Sequence, residues 1–179
     1  MAIAPYEKNI TLSAKFSFLP ILLNGALANA PYGFFMKNRL YLTQTDTTIG
    51  FVSQDSTKID RAKRRLPNKH YIRVVDSFQT LQTFSRVPNA HKNRIRRSKK
   101  TTFIMPNGLS FRVVKDCEHN ILLNRIGWVY SSSANLSGDE YNEQYAKDNA
   151  EVIVSFPVQR IGTASTIYLL GQKRMRLVR

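Results

Sequence analysis

Lys63 and Arg65 stand two residues apart in the run Lys63-Arg64-Arg65, and Lys69 follows four residues later. In extended or turn backbone, side chains two apart project the same way, so this pair can grip one anion together. Arginine brings a planar two-pronged donor and lysine a point charge, which suits a phosphate chain or a carboxylate. A second polar cluster, Ser131-Ser132-Ser133-Ala134-Asn135-Leu136-Ser137-Gly138, follows the apolar run Trp128-Val129-Tyr130. Small hydroxyls, an amide and a glycine at a strand's carboxyl end suit hydrogen bonding to a ligand, and in open α/β sheets ligands bind at that end. A turn rich in Ser and Asn for backbone reasons is the plainer alternative. A third cluster, Gln44-Thr45-Asp46-Thr47-Thr48-Ile49-Gly50, taken alone is an ordinary capped turn. Ser165-Thr166, leading into the last apolar run, signifies nothing by itself.

Other chemistries find no support. There is no Walker phosphate loop and no dinucleotide glycine fingerprint. His70, His91 and His119 lack the close spacing of a metal pair, and each is expected at the surface. The single cysteine, Cys117, makes no disulfide framework and is expected as a buried structural thiol.

The elements that must hold these clusters alternate along the chain. Leu40–Thr43 reads as a buried strand ending in a polar turn with Gly50. Asp55 or Ser56 caps a short helix whose Ile59 and Ala62 share a face. Tyr71–Val75 is a second strand, and Asp76 or Ser77 caps a helix carrying Phe78, Leu81 and Phe84. Pro88 opens a basic helix. Strands over 102–105 and 109–114 are joined by Pro106-Asn107-Gly108. A helix near 117–126, a strand ending at Ser131, a helix around 142–149 and strands at 152–154 and 166–170 complete the series. Strands alternating with helices, one hairpin interrupting, predict a single α/β domain with a twisted mixed sheet, parallel and antiparallel, flanked by helices.

The chain has 179 residues, 42% of them hydrophobic, enough for a core without disulfide or metal support. Its net charge is +15, and the excess sits in one block. Residues 61–115 hold 15 Lys or Arg against one acid, Asp76, a local balance of +14. A solvated basic helix is the plain reading of such a run. Without interspersed acids its self-repulsion favours bound anions, so the expected partner is RNA, nucleotide or phosphate. Residues 1–35 hold Lys8 and Lys15, an apolar stretch from Phe16 to Leu23, and Ala28-Asn29-Ala30, superficially a secretory signal. Pro20 and Pro31 argue against that, and the favoured reading is a leader of uncertain reality before a start at Met36, with the domain spanning 36–179. No run reaches the roughly 18 apolar residues of a membrane-spanning helix. A cytoplasmic protein without a membrane partner is expected.

Taken together, the clusters resemble the YrdC family, the threonylcarbamoyl-AMP synthases. The family's Pro-Thr-Asp/Glu-Thr-x-Tyr-Gly is matched by Gln44–Gly50, with Gln44 and Ile49 replacing the proline and tyrosine. Its Lys-x-Arg is matched by Lys63-Arg64-Arg65, and its Ser-Ala-Asn-x-Ser-Gly is intact at 133–138. Its closing Ser-Thr is matched by Ser165-Thr166. Of the family's Pro-Gly-Pro-x-Thr only the final Thr102 remains, and Arg112 matches an Arg-x-Pro arginine without the proline. Order and spacing agree from about Leu40 to the C-terminus.

The resemblance implies a YrdC-like fold and a nucleotidyltransferase that joins L-threonine, bicarbonate and ATP into threonylcarbamoyl-AMP, releasing pyrophosphate, for tRNA threonylcarbamoyladenosine modification. Lys63, Arg65, Ser133 and Asn135 would be the catalytic and nucleotide-binding groups, with Arg179 a further nucleotide contact. Thr45 and Arg112 would address threonine, Arg112 through its carboxylate, with Thr102 and Ser165 beside them. Mg²⁺ would arrive with ATP, no resident metal being implied. Partner proteins of tRNA modification would complete the pathway. Two alternatives stand beside this: a protein that binds double-stranded RNA or tRNA through its cationic face, and a YciO-like paralogue without synthase activity.

Overall fold

The structure, a computed structural model, describes residues 11–14, 38–66, 69–115, 118–155 and 162–179. Ten strands form one sheet in the order β1-β8-β2-β3-β7-β4-β6-β5-β9-β10. The first half comprises β1 (Thr11–Ala14), β2 (Tyr41–Gln44), β3 (Ile49–Ser53), β4 (Ile72–Val75) and β5 (Thr101–Ile104). The second comprises β6 (Ser110–Val113), β7 (Trp128–Ser133), β8 (Val152–Ser155), β9 (Thr166–Leu170) and β10 (Met175–Leu177). Pairs β2–β8, β4–β6 and β5–β9 are parallel and the others antiparallel, so the mixed α/β sheet is as expected. Among the described residues five helices accompany it: α1 (Ser56–Ala62), α2 (Phe78–Phe84), α3 (Lys92–Arg97), α4 (Glu118–Ile126) and α5 (Glu143–Asn149).

Three of the helices start where short polar side chains satisfy free N–H groups. Asp55 accepts from the Thr57 amide, Ser77 from Thr80 and Asn142 from Tyr145. After Pro88 the chain makes a 3₁₀ turn over Asn89–His91 before α3.

Strand alternation divides the helices unequally. On one face Val75, Phe103, Phe111 and Val113 pack with Phe78 and Leu81 of α2 and Ile95 of α3. On that same face Leu42 and Phe51 pack with Ile59 of α1 and Ala146 of α5. The other face carries Tyr41, Val52, Val74, Val129 and Val154, covered by Leu122, Leu123 and Ile126 of α4. Among the described residues α4 is the only helix on that side. Arg112 pairs with Val74 across β6–β4 and therefore shares the α4 face, which continues beyond α4 into polar residues.

Several elements depart from expectation. The run after the polar turn forms β3, a central strand whose Phe51, Val52 and Ser53 are all 0% exposed. Its shortness and leading glycine hide it from a periodicity reading. Strand β7 runs two residues past Ser131 because Ser132 and Ser133 pair with Phe51 and Gly50. Strand β10 has too few residues to give a pattern, and β1, inside the stretch taken as a leader, pairs with β8. Residues 15–37, with Met36, and Cys117 lie outside the described residues.

The histidines are a correction. His70 is exposed, but His91 and His119 are buried. His91 Nε2 lies 3.0 Å from the Gly171 carbonyl, tying the start of α3 to the β9–β10 turn. His119 falls three and four residues before Leu122 and Leu123, on the apolar side of α4, and the spacing rule for helices outweighs its polarity.

Candidate functional site

Two clusters bring together residues that are remote in sequence. The first gathers around Lys63, the C-cap of α1. Its Nζ donates to the Ser133 carbonyl at 2.8 Å, the Asn135 carbonyl at 2.5 Å and Asn135 Oδ1 at 3.2 Å. Ser133 Oγ donates to the same Oδ1 at 2.5 Å, and Asn135 Nδ2 donates to the Leu136 and Asp139 carbonyls. The end of β7 and the turn that follows it are thus folded around one ammonium. Burial, with Arg65 and Lys69 nearby, lowers the Lys63 pKa to about 8.

Arg65 takes a separate course. Arg64 has a left-handed φ of 46°, so the backbone turns between Lys63 and Arg65, and the shared-side geometry expected for the pair is absent. Arg65 Nε donates to the Tyr71 hydroxyl at 2.8 Å and stands 3.4 Å from Asp60 Oδ1, while its guanidinium lies 4.3 Å from the Tyr71 ring centre. Tyr71 in turn donates to Asp60 at 2.7 Å, and burial, then the bond to Asp60, pushes its pKa up to about 12.

The second cluster lies on the α4 face and centres on Arg112 of β6. Its Nη1 donates to Asp46 Oδ1 at 2.9 Å and Thr47 Oγ1 at 2.8 Å, and Nε and Nη2 donate to Thr102 Oγ1 at 3.2 and 3.1 Å. Thr102 Oγ1 lies 3.1 Å from Ser165 Oγ, and Arg179 Nη2 donates to the Ser165 carbonyl at 3.4 Å. Thr45 shapes the β2–β3 turn: its hydroxyl donates to the Thr48 carbonyl at 2.6 Å and accepts from the Thr47 and Thr48 amides. That turn presents Asp46 and Thr47 to Arg112, some 65 positions away. Side chains of Arg112 and Asp46 are only 6% and 10% exposed, so the ion pair is largely dry.

The β2–β3 turn also joins the clusters. The Ala134 amide donates to the Ile49 carbonyl at 3.1 Å, and Gly50 pairs with Ser133. Gly50 is required there, since a Cβ would stand 2.8 Å from the Ser132 carbonyl oxygen and 3.2 Å from Thr45 Cγ2. Of the residues read from sequence, Lys63, Ser133 and Asn135 meet, and Thr102, Arg112, Ser165 and Arg179 meet with the Thr45 turn. Arg65 bonds to neither group. Sequence reasoning did not find Asp46 as the partner of Arg112, Tyr71 and Asp60 as partners of Arg65, or the burial of His119 in α4. Only His119 left a trace, in its spacing to Leu122 and Leu123.

No family model matches the chain. Among curated proteins it is 31% identical over 146 residues to the uncharacterized protein MG259 of Mycoplasma genitalium, covering 75% of this chain. A Mycoplasma pneumoniae homologue of MG259 is 31% identical over 99 residues. The chain spans 31% and 21% of the lengths of these two relatives. Among solved structures, P. abyssi Sua5 complexed with L-threonine superposes with a TM-score of 0.66 at 20% identity, over 79% of this chain and 50% of that one. E. coli YciO gives 0.57 at 18% identity, over 80% and 83%. HypF from T. kodakarensis gives 0.68 at 13% identity, over 97% and 26%. The chain therefore has the YrdC-like fold, and the resemblance carried by its motifs holds at the level of the fold. No helix among the described residues is long and apolar enough to cross a membrane.

Proposed function

We propose that this chain is an enzyme of the threonylcarbamoyl-AMP synthase type, taking L-threonine, bicarbonate and ATP and releasing pyrophosphate for tRNA modification in the cytoplasm. The observation that carries this reading is the meeting of remote motif residues: Lys63 with Ser133 and Asn135, and Arg112 with the Thr45–Thr48 turn, Thr102 and Ser165. The likeness to a Sua5 structure complexed with L-threonine supports it. In this reading Lys63 meets phosphate oxygens, Ser133 and Asn135 hold the nucleotide, and Arg179 contacts it from the other cluster. Arg112 takes the threonine carboxylate, with Thr45 shaping the turn above it and Thr102 and Ser165 orienting its guanidinium. Arg65, held through its Nε by Tyr71 and Asp60, turns its remaining guanidinium N–H groups to phosphate. Chemistry of this kind is positioning plus charge stabilisation and calls for no protein nucleophile. Mg²⁺ comes with ATP and shields the triphosphate.

The test is pyrophosphate release from ATP, with and without threonine and bicarbonate. Release that depends on both supports the synthase; none would leave a YciO-like protein of other chemistry. A second reading, binding of double-stranded RNA or tRNA, draws on the exposed Arg94, Arg96, Arg97, Lys99 and Lys100 of α3 and the loop behind it. Such a surface tracks phosphates rather than bases. It is compatible with the enzyme, whose carbamoyl product is passed to tRNA through partner proteins.

A further inference from the structure

Arg73 of β4 is a cation without a carboxylate partner among the described residues. It lies on the sheet face that α1 and α2 share, across from Tyr130 of β7 and Phe111 of β6. Its guanidinium stands among four rings, 5.2 Å from the centre of Phe84, 5.3 Å from Tyr130 and 5.9 Å from Phe111 and Trp128. Nη2 donates to the Tyr130 hydroxyl at 3.0 Å, and Nε is buried with no hydrogen-bond partner among the described residues. A partly desolvated charge with no acid to neutralise it favours a bound anion. The rings beside it come from remote positions and run in a row, Tyr71, Tyr130, Trp128 and Phe84, with successive centres 6.0, 5.2 and 5.1 Å apart. Arg73, Phe84, Trp128 and Tyr130 are only half-buried, because α1 packs on Leu42 and Phe51 to one side and α2 on Val75 and Phe111 to the other. Exposed arginines stand at both ends of the row. Arg61 and Arg64 line a hollow with Asp60 and Arg65 next to Tyr71, and Arg86 follows Phe84 by two residues.

Ring faces with cations among and beside them suit bases joined by phosphates, and aromatics on neighbouring strands of a sheet floor hold about two or three bases in this way. A peptide strand fits less well, since β4 and β7 are central and have no free edge to pair with. A duplex keeps the faces of its bases stacked inside, away from the rings. We propose that this aromatic strip between α1 and α2 binds a single strand of nucleic acid, stacking unpaired bases on Tyr130, Trp128 and Phe84 and seating phosphates on Arg73 and on the flanking Arg61, Arg64 and Arg86. The strip uses none of the residues assigned to the synthase reaction and none of the outward arginines of α3.

Trp128 is the one tryptophan of the chain, so its fluorescence reports on the strip directly. The test is titration of the full chain with oligo(U) and with oligo(dT), each of about eight nucleotides, and with a blunt RNA duplex. Single strands are expected to quench Trp128 and the duplex is not, and the two oligonucleotides tell an RNA strand from a DNA strand. Phe84→Leu and Tyr130→Leu are each expected to weaken single-strand binding by about tenfold and to leave the response to duplex unchanged. Arg73→Gln should lower the salt slope of single-strand binding by about 0.7, one phosphate contact. Threonine-dependent pyrophosphate release should be the same in all three variants, so failure of the synthase reading and failure of this one are told apart. The proposal is overturned by single strands that leave Trp128 unquenched or quench it no more than the duplex does. It is equally overturned by Phe84→Leu and Tyr130→Leu proteins that bind single strands as tightly as the wild type.

Discussion

Lys63 carries one charge on three oxygen acceptors, one from the last residue of β7 and two from Asn135 just after it. Its pKa of about 8 places loss of that charge within reach of ordinary assay conditions. Pyrophosphate release is therefore expected to fall as pH rises through 8, and Lys63→Met to lower it by about a hundredfold or more at pH 7; pH-rate profiles of the two proteins check this. His119 makes the opposite half of the titration informative. Burial lowers its pKa from 6.5 to about 4, so between those values the unfolded chain binds the proton more readily. Stability is expected to be undiminished above pH 6.5 and to decline towards pH 4, by up to about 3 kcal/mol from this group. Urea unfolding at pH 7 and pH 4.5 measures the decline, and His119→Phe should shrink it. Asp46 offsets the buried charge of Arg112, and Asp46→Ala should destabilise the fold by about 3–5 kcal/mol in the absence of ligand.

Among the elements, the β2–β3 hairpin has the largest part in the site. Its strands are central to the sheet, while its turn supplies Asp46 and Thr47 to Arg112 and leads through Gly50 to Ser133. A methyl group at residue 50 drives the hairpin against the Ser132 carbonyl, a backbone atom that cannot swing aside. Gly50→Ala is expected to cost about 1–3 kcal/mol, the range for overpacked sites, and to weaken threonine binding as the turn shifts. Thermal unfolding and calorimetry measure the two effects separately. Helix α4 complements the hairpin, closing one part of its sheet face with Leu122, Leu123 and Ile126.

For the whole molecule, the described helices divide unequally between the two faces of the sheet. Among the described residues four helices pack on one face and one on the other, and the polar side chains of β6, β5 and the β2–β3 turn collect on the face that carries the single helix. The basic block of residues 61–115 divides along the same lines. Arg112 is buried in the site, Arg73 lies among aromatic rings with its guanidinium 5.2 Å from Phe84 and 5.3 Å from Tyr130, and Arg94, Arg97 and Lys99 face outward. If RNA follows the outward group, replacing those three by Gln should weaken binding and flatten its salt dependence by about three counterions' worth. Filter binding across a salt series reads both changes, and pyrophosphate release should be unaffected.

Net charge, the order of the motifs, most helix caps and the mixed α/β character were legible in the chain, because each depends on residue type or on spacing within a few positions. The capped start of α1 at Asp55 and the apolar spacing of Phe78 and Leu81 are such cases. Partnerships were not. Lys63 and Arg65 look equivalent as a sequence pair, yet one left-handed residue between them sends the first to Asn135 and the second to Tyr71. Asp46 meets Arg112 only because the sheet and its β2–β3 hairpin bring them together, and which charge lies beside which is decided by packing across tens of residues rather than by the residues next in line.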